Sequence, residues 1–231
     1  MAEHSAYYSR WTTSVSRYCE RLHFFRVPPA SDDPLALIDR VAAEDYLGFI
    51  TLRPISMSPV AASILVPPGG ATPCYFLSQD EFQVNIAGRS FSVHGTPFLQ
   101  QDNAVGACAQ ASIWMALRTM RKKEGQAAYS PAQITTAATR FYVLGRTLPN
   151  RTGLHLQQVA EAVRSAGYSP HLLPLSANHA SVDESVRFKK RVLYPYVESG
   201  IPVLLLLFPT PNDGHAVVLI GHGWERSCLI D

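Results

Sequence analysis

The sequence predicts an α+β fold in which helices come first and strands second, preceded by a smaller mixed α/β region. Four helical patterns follow one another between Cys108 and Gly200, and the strand-like segments IPVLLLL, HAVVLIGHGW and CLID then close the chain. Elements that segregate along a chain, rather than alternate, point to α+β architecture instead of a parallel α/β sheet. At 231 residues, with 47% hydrophobic and 16% charged residues, the chain can bury a sizeable core and is too apolar to be disordered.

The first stretch, to about Val27, has helical apolar spacing through Trp11, Val15, Tyr18 and Leu22, and ends at the breakers PPASDDP. Asp33-Pro34 is a start signal for a second helix through Leu35, Leu37, Ile38 and Val41. YLGFITLRPI, rich in aromatic and β-branched residues, reads as a strand, VPPGGATP as a loop, and FQVNIAGRSFSVHG as a hairpin turning at Ala87-Gly88. Residues 1–88 are therefore expected to form an accessory region and residues 89–231 the main domain. The alternative is a single domain, in which YLGFITLRPI joins the sheet of HAVVLIGHG.

A helix is expected to begin at or near Cys108, since ACAQASIWMALRTMRKK is apolar almost all round its first turns and basic at its end, where the helix dipole favours cations. SPAQITTAATRFYVLG opens with serine before proline, and TGLHLQQVAEAVRSAG is amphipathic with a terminal glycine. SVDESVRFKKRVLYPYVESG ends at Gly200, and the closing strands read as mostly buried.

Twenty basic and eighteen acidic residues leave a formal net charge of +2 and form no polybasic block, so a nucleic-acid partner is not expected. The N-terminus MAEHSAYYSRW lacks an apolar signal region, and the longest apolar run, Ile201 to Phe208, is far too short for a bilayer span. Neither secretion nor a membrane partner is expected. The four cysteines, Cys19, Cys74, Cys108 and Cys228, form no CxxC pair and no zinc spacing, so reduced thiols in a cytoplasm are expected, with no metal and no cofactor. The sequence carries no signal of oligomeric state.

The residues that could carry chemistry centre on Cys108. A helix N-terminus favours the thiolate, the nucleophilic form, through the dipole and the first-turn amides. Gln101 or Gln100, just upstream, could join the Cys108 amide as an oxyanion donor. The bland alternative is a small apolar residue starting a core helix. His215, 107 residues later in GIPVLLLLFPTPNDGHAVVLIGHG, is delivered to a strand start by a polar loop and is the candidate base. His222 competes, but its odd spacing from His215 would put the two on opposite faces of one unbroken strand. Asp231 is the candidate to orient the imidazole, with the nearer Asp213 better explained as a turn former. Cys19, Cys74 and Cys228 read as structural, Trp114 and Met115 as core, and His94 as a solvated turn residue.

QQDNAVGACAQASIWMAL resembles the nucleophile segment of papain-like peptidases related to the bacteriocin-processing, double-glycine-leader group, in which a glutamine precedes a cysteine that opens a helix. The closing pattern of strand, histidine-led strand and strand ending in aspartate is similar too, as is the middle helix TGLHLQQVAEAVRSAG. The resemblance covers roughly the last 140 residues, and residues 1–88 have no part in it. It implies a papain-like fold and a hydrolase of peptide or isopeptide bonds, with a peptide or protein as substrate. It further implies Cys108 as nucleophile, His215 as general base, Asp231 as orienting residue and Gln101 as oxyanion donor. Gln101 stands one residue further upstream than is usual in that group, and Ala109 stands where glycine is usual. Two other functions keep the same fold: a peptide-binding adaptor without chemistry, and transglutaminase-like acyl transfer to an amine.

Overall fold

The structure is a computed structural model that describes residues 18–26, 33–55, 58–67, 74–76, 78–101, 107–143, 153–175, 181–210 and 213–223. Along the chain the strands are β1 (Glu20–Phe25), β2 (Tyr46–Leu52), β3 (Ser63–Leu65), β4 (Cys74–Phe76), β5 (Asp80–Ile86), β6 (Arg89–Phe98), β7 (Val203–Thr210), β8 (Asp213–Leu219) and β9 (Gly221–Gly223). The helices are α1 (Pro34–Arg40), α2 (Cys108–Lys123), α3 (Pro131–Ala138), α4 (Leu156–Ser165) and α5 (Val182–Glu198). Helices and antiparallel strands together make a mixed α+β protein. It divides into two compact units, Met1–Gly69 with Gln79–Asp102, and Gly70–Ser78 with Asn103–Asp231.

The first unit is a five-stranded antiparallel sheet in the order β1-β2-β3-β6-β5. Its hairpin turns where the sequence places it: Ala87 and Gly88 have φ of 49° and 87°, the two positive values that match the twist of the flanking strands. The boundary expected near residue 88 thus falls at a hairpin tip, with both strands in one unit, and the division comes after Asp102 instead. Alternate residues of β5 and β6 face a core that contains Tyr46, Phe49, Ile64, Phe82, Val84, Phe91 and Val93. Ile38 of α1 and Val41 at its C-cap are part of that core; Asp33 caps the helix by accepting from the Leu35 amide at 3.0 Å, and the Arg89 guanidinium donates to the Ile38 carbonyl. Burial pushes the Tyr46 phenol up to about 12, while burial and then the Arg21 charge hold His23, whose Nδ1 lies 2.9 Å from the Tyr46 hydroxyl, below its ordinary value.

The helix expected through Leu22 is a strand. Residues 20–25 pair with β2 along their whole length, Phe25 packs on the core, and Arg21 lies 4.5 Å over the Phe49 ring. Cross-strand pairing of an aromatic-rich segment outweighs an apolar spacing that suits a helix equally well. Trp11 and Val15 lie outside the described residues.

In the second unit, α2 packs against β7, β8, α3 and α4, and every residue from Ala109 to Leu117 is buried. The next helix, α3, starts with Pro131 and a capping box in which Ser130 and Gln133 bond each other's amides. Gly167 and Gly200, with φ of 92° and 70°, follow the ends of α4 and α5 as stop signals. Strands β7 and β8 pair antiparallel, as do β4 and β9. Expected to be mostly buried, β7 is instead half-buried from Val203 to Leu206 and exposed at Leu207 and Phe208, as an antiparallel pair with one wet face allows. Tyr46–Leu52 pairs with β1 and β3 and shares no sheet with β8. Among the described residues no helix is long and apolar enough to cross a membrane.

Gly48 lies in β2 with φ of 116°, and a Cβ there would overlap the Ile64 carbonyl of β3. Gly48→Ala should therefore lower stability by more than about 2 kcal/mol. Gly88→Asn, at an open turn that asparagine tolerates, should change it by less than about 1 kcal/mol. Urea unfolding followed by circular dichroism measures both.

Candidate active site

Cys108 is the first residue of α2. Ala107 at the N-cap has no side-chain acceptor for the first-turn amides, so the end of the helix is left as a donor-rich, positive terminus. The residue is half-buried and its thiol is free, and it is followed at once by Ala109, only 4% exposed. The thiol thus sits where a fully enclosed helix reaches the surface.

His215 lies in β8 opposite Leu207 of β7, the last regular pair before a register shift between Leu207 and Thr210. Pro209 in this stretch has no amide to donate, which fits the break in the ladder. The Phe208 ring lies beside Gly214, where a Cβ would come 3.3 Å from it. His215 itself is exposed, and no described side chain hydrogen-bonds its ring.

One bond ties the two elements together. Ser112, one turn beyond Cys108 on the same side of α2, donates its hydroxyl at 2.9 Å to the carbonyl of Ala216, the neighbour of His215. Ser112 is completely buried and Ala216 is 3% exposed. Cys108 lies about 6 Å along the helix from this anchor, and the His215 Cα about 3.8 Å along the strand from that of Ala216. The thiol and the imidazole make no direct hydrogen bond. Sequence reasoning missed Ser112, although it is a hydroxyl in the otherwise apolar run ASIWMAL.

The remaining candidates divide. His222 does not share a strand with His215: β8 ends at Leu219, and His222 lies in β9 opposite Tyr75. The premise of one unbroken strand fails, and what separates the two histidines is their partners. The His222 Nε2 bonds the Glu198 carboxylate, and its ring lies 5.2 Å from that of Tyr194, both residues of α5. Asp213 opens β8 opposite Thr210, and Asp231 lies outside the described residues, as does Cys228. Cys74 is in β4, Cys19 is exposed, and His94 sits on β6 opposite Glu81 rather than in a turn. Trp114 and Met115 are core residues of α2.

Both upstream glutamines belong to the first unit. The Gln100 side-chain carbonyl accepts from the Val60 amide at 2.8 Å, and its backbone carbonyl accepts from Arg53 at 3.3 Å. The Gln101 carbonyl accepts from the buried Ser58 hydroxyl at 3.2 Å. Gln100 is thus a bracket for the segment from Arg53 to Val60. Among the described residues no group of three or more His, Cys, Asp or Glu could hold a metal ion.

Gln100→Ala should strand the Val60 amide and lower stability by about 1–3 kcal/mol, whereas Gln100→Glu, which keeps the acceptor, should cost less. Thermal and urea unfolding of the two variants check this ranking. No family model, curated protein or solved structure matches this chain.

Proposed function

We propose that the chain is a papain-like cysteine hydrolase that cleaves peptide or isopeptide bonds. The observation that carries this reading is the Ser112–Ala216 bond, which joins a helix opened by a free, half-buried cysteine to the strand that bears an exposed histidine. The pattern around QQDNAVGACAQASIWMAL and the closing segments support it independently.

In the proposed reaction His215 takes the Cys108 proton, and the thiolate attacks the carbonyl carbon of the scissile amide. The tetrahedral oxyanion forms beside the Cys108 amide, at the positive end of α2. As the C–N bond breaks, the imidazolium gives its proton to the leaving amine, and a thioester remains. Water, deprotonated by His215, attacks the thioester, and the acid leaves as the proton returns to the thiol. Asp231 is assigned as the group that orients the imidazole on the resemblance alone. A thiol nucleophile suits a reducing compartment, so we place the protein in the cytoplasm.

Hydrolysis of a fluorogenic peptide-amide library, with unfolding monitored in parallel, tests this assignment. Cys108→Ala should abolish turnover while the fold survives, because alanine removes only the nucleophile from the helix start. His215→Ala should reduce turnover by about 10³ or more, and His222→Ala by less than about tenfold, since its ring serves Glu198. Turnover retained in Cys108→Ala would refute the nucleophile, and equal losses from the two histidines would refute His215 as the base.

A further inference from the structure

We propose that Ser112 is a positioning residue for the Cys108–His215 pair: its buried hydroxyl, bonded to the Ala216 carbonyl, sets the register of α2 against β8 and thereby the reach of the imidazole to the thiol. The inference rests on the reading of this site as a cysteine hydrolase and assigns a role to a side chain that touches neither reacting atom.

The surroundings of Ser112 make the hydroxyl hard to explain by packing. Ala111, Ile113, Ala116 and Leu117 are all buried around it, and an alanine would fill nearly the same space without a polar group to desolvate. A serine inside a helix ordinarily bonds back to the carbonyl four residues earlier, which here is that of Cys108. Ser112 instead reaches across to a residue 104 positions away in sequence. Apolar contacts between α2 and β8 resist separation but are non-directional, so they limit sliding and rotation weakly. A hydrogen bond of 2.9 Å between two buried groups fixes both. The bond falls beside the two residues whose geometry the chemistry needs, one helical turn from Cys108 and one residue from His215. Catalytic constellations tolerate errors of only about 0.5 Å, so a small slip of α2 along β8 would uncouple the pair while leaving the core intact.

The test follows the rate at which iodoacetamide alkylates Cys108 between pH 4 and pH 9, read by peptide mass spectrometry. The exposed thiol Cys19 in the same molecule serves as the ordinary reference. In the wild type, Cys108 should react at pH 6 at least tenfold faster than Cys19, a limb that His215→Ala should lose. Ser112→Ala should lose this limb at least tenfold while it keeps its circular dichroism and cooperative melting, and Ser112→Thr, which retains the donor, should restore it. Ile113→Val, a neighbouring core truncation on the same helix, should melt earlier and keep the limb. A wild-type limb in Ser112→Ala overturns the positioning role. A Ser112→Ala variant that no longer melts cooperatively also overturns it, by assigning the hydroxyl to folding alone. If wild-type Cys108 follows Cys19 and is indifferent to His215→Ala, the Cys–His reading itself fails and the proposal falls with it, a result distinct from the other two.

Discussion

A helix that is apolar almost all round its first turns has to be enclosed there on nearly every side, and α2 imposes that constraint on the second unit. From Ala109 to Leu117 no face of it can be left in water, so α3 and α4 pack on it directly after it in the chain, and β7 and β8 pack on it from the far end of the sequence. The constraint also explains where Cys108 stands. The first residue of an enclosed helix is where backbone amides are unpaired within the helix and where the wall opens, so a thiol there is both near the dipole and reachable. On the proposed reading, the Cys108–His215 pair cannot form until the last strands have docked, because His215 and Ala216 arrive more than a hundred residues after Cys108. Contacts of such long sequence separation form late in a fold's assembly.

What was legible in the sequence followed local chemistry. The start of α2 at Cys108, the capped start of α3, the glycine stops after α4 and α5 and the two-residue turn at Ala87-Gly88 are each set by side chains within a few positions of the feature. The failures all involve a distant partner. Residues 20–25 carry an apolar spacing compatible with a helix, and only the presence of β2 alongside makes them a strand. The odd spacing of His215 and His222 would decide between them on a straight strand, but the ladder stops at Leu219 and β9 takes up with β4. Ser112 carries no signal of its own in the sequence, because its partner, the Ala216 carbonyl, is 104 residues away.

The two glutamines show the same limit at the scale of one residue. Gln100 and Gln101 are identical in type and adjacent, and no rule of composition or period separates them. The segment from Arg53 to Val60 does. The groups at Arg53, Ser58 and Val60 lie outside the regular ladders and need partners from elsewhere. Gln100 supplies one with its side-chain carbonyl, and the main-chain carbonyls of both glutamines accept from Arg53 and Ser58. A side chain used as a bracket for its own unit is a poor candidate for a second duty at a reacting carbonyl, since release of the Val60 amide would cost more than a neutral hydrogen bond to substrate returns.

The histidines follow from the same reasoning. A ring that already bonds a carboxylate and packs at a tilt against a tyrosine, as His222 does, has its orientation and one nitrogen committed to α5. His215 is the reverse: its backbone is fixed by β7 and, through Ala216, by α2, while its ring is exposed and has no bond to a described side chain. A general base must be held by its backbone and left open at its ring, because the proton it moves belongs first to the thiol, then to the leaving amine and then to water. Exposure matters most in the last of these steps. A thioester beside a wetted imidazole has water at molar concentration as its acceptor, whereas transfer to an amine requires a site that excludes water and binds the amine in its place. On the proposed reading, the exposure of His215 favours hydrolysis over acyl transfer, from the same feature that distinguishes this histidine from its neighbour.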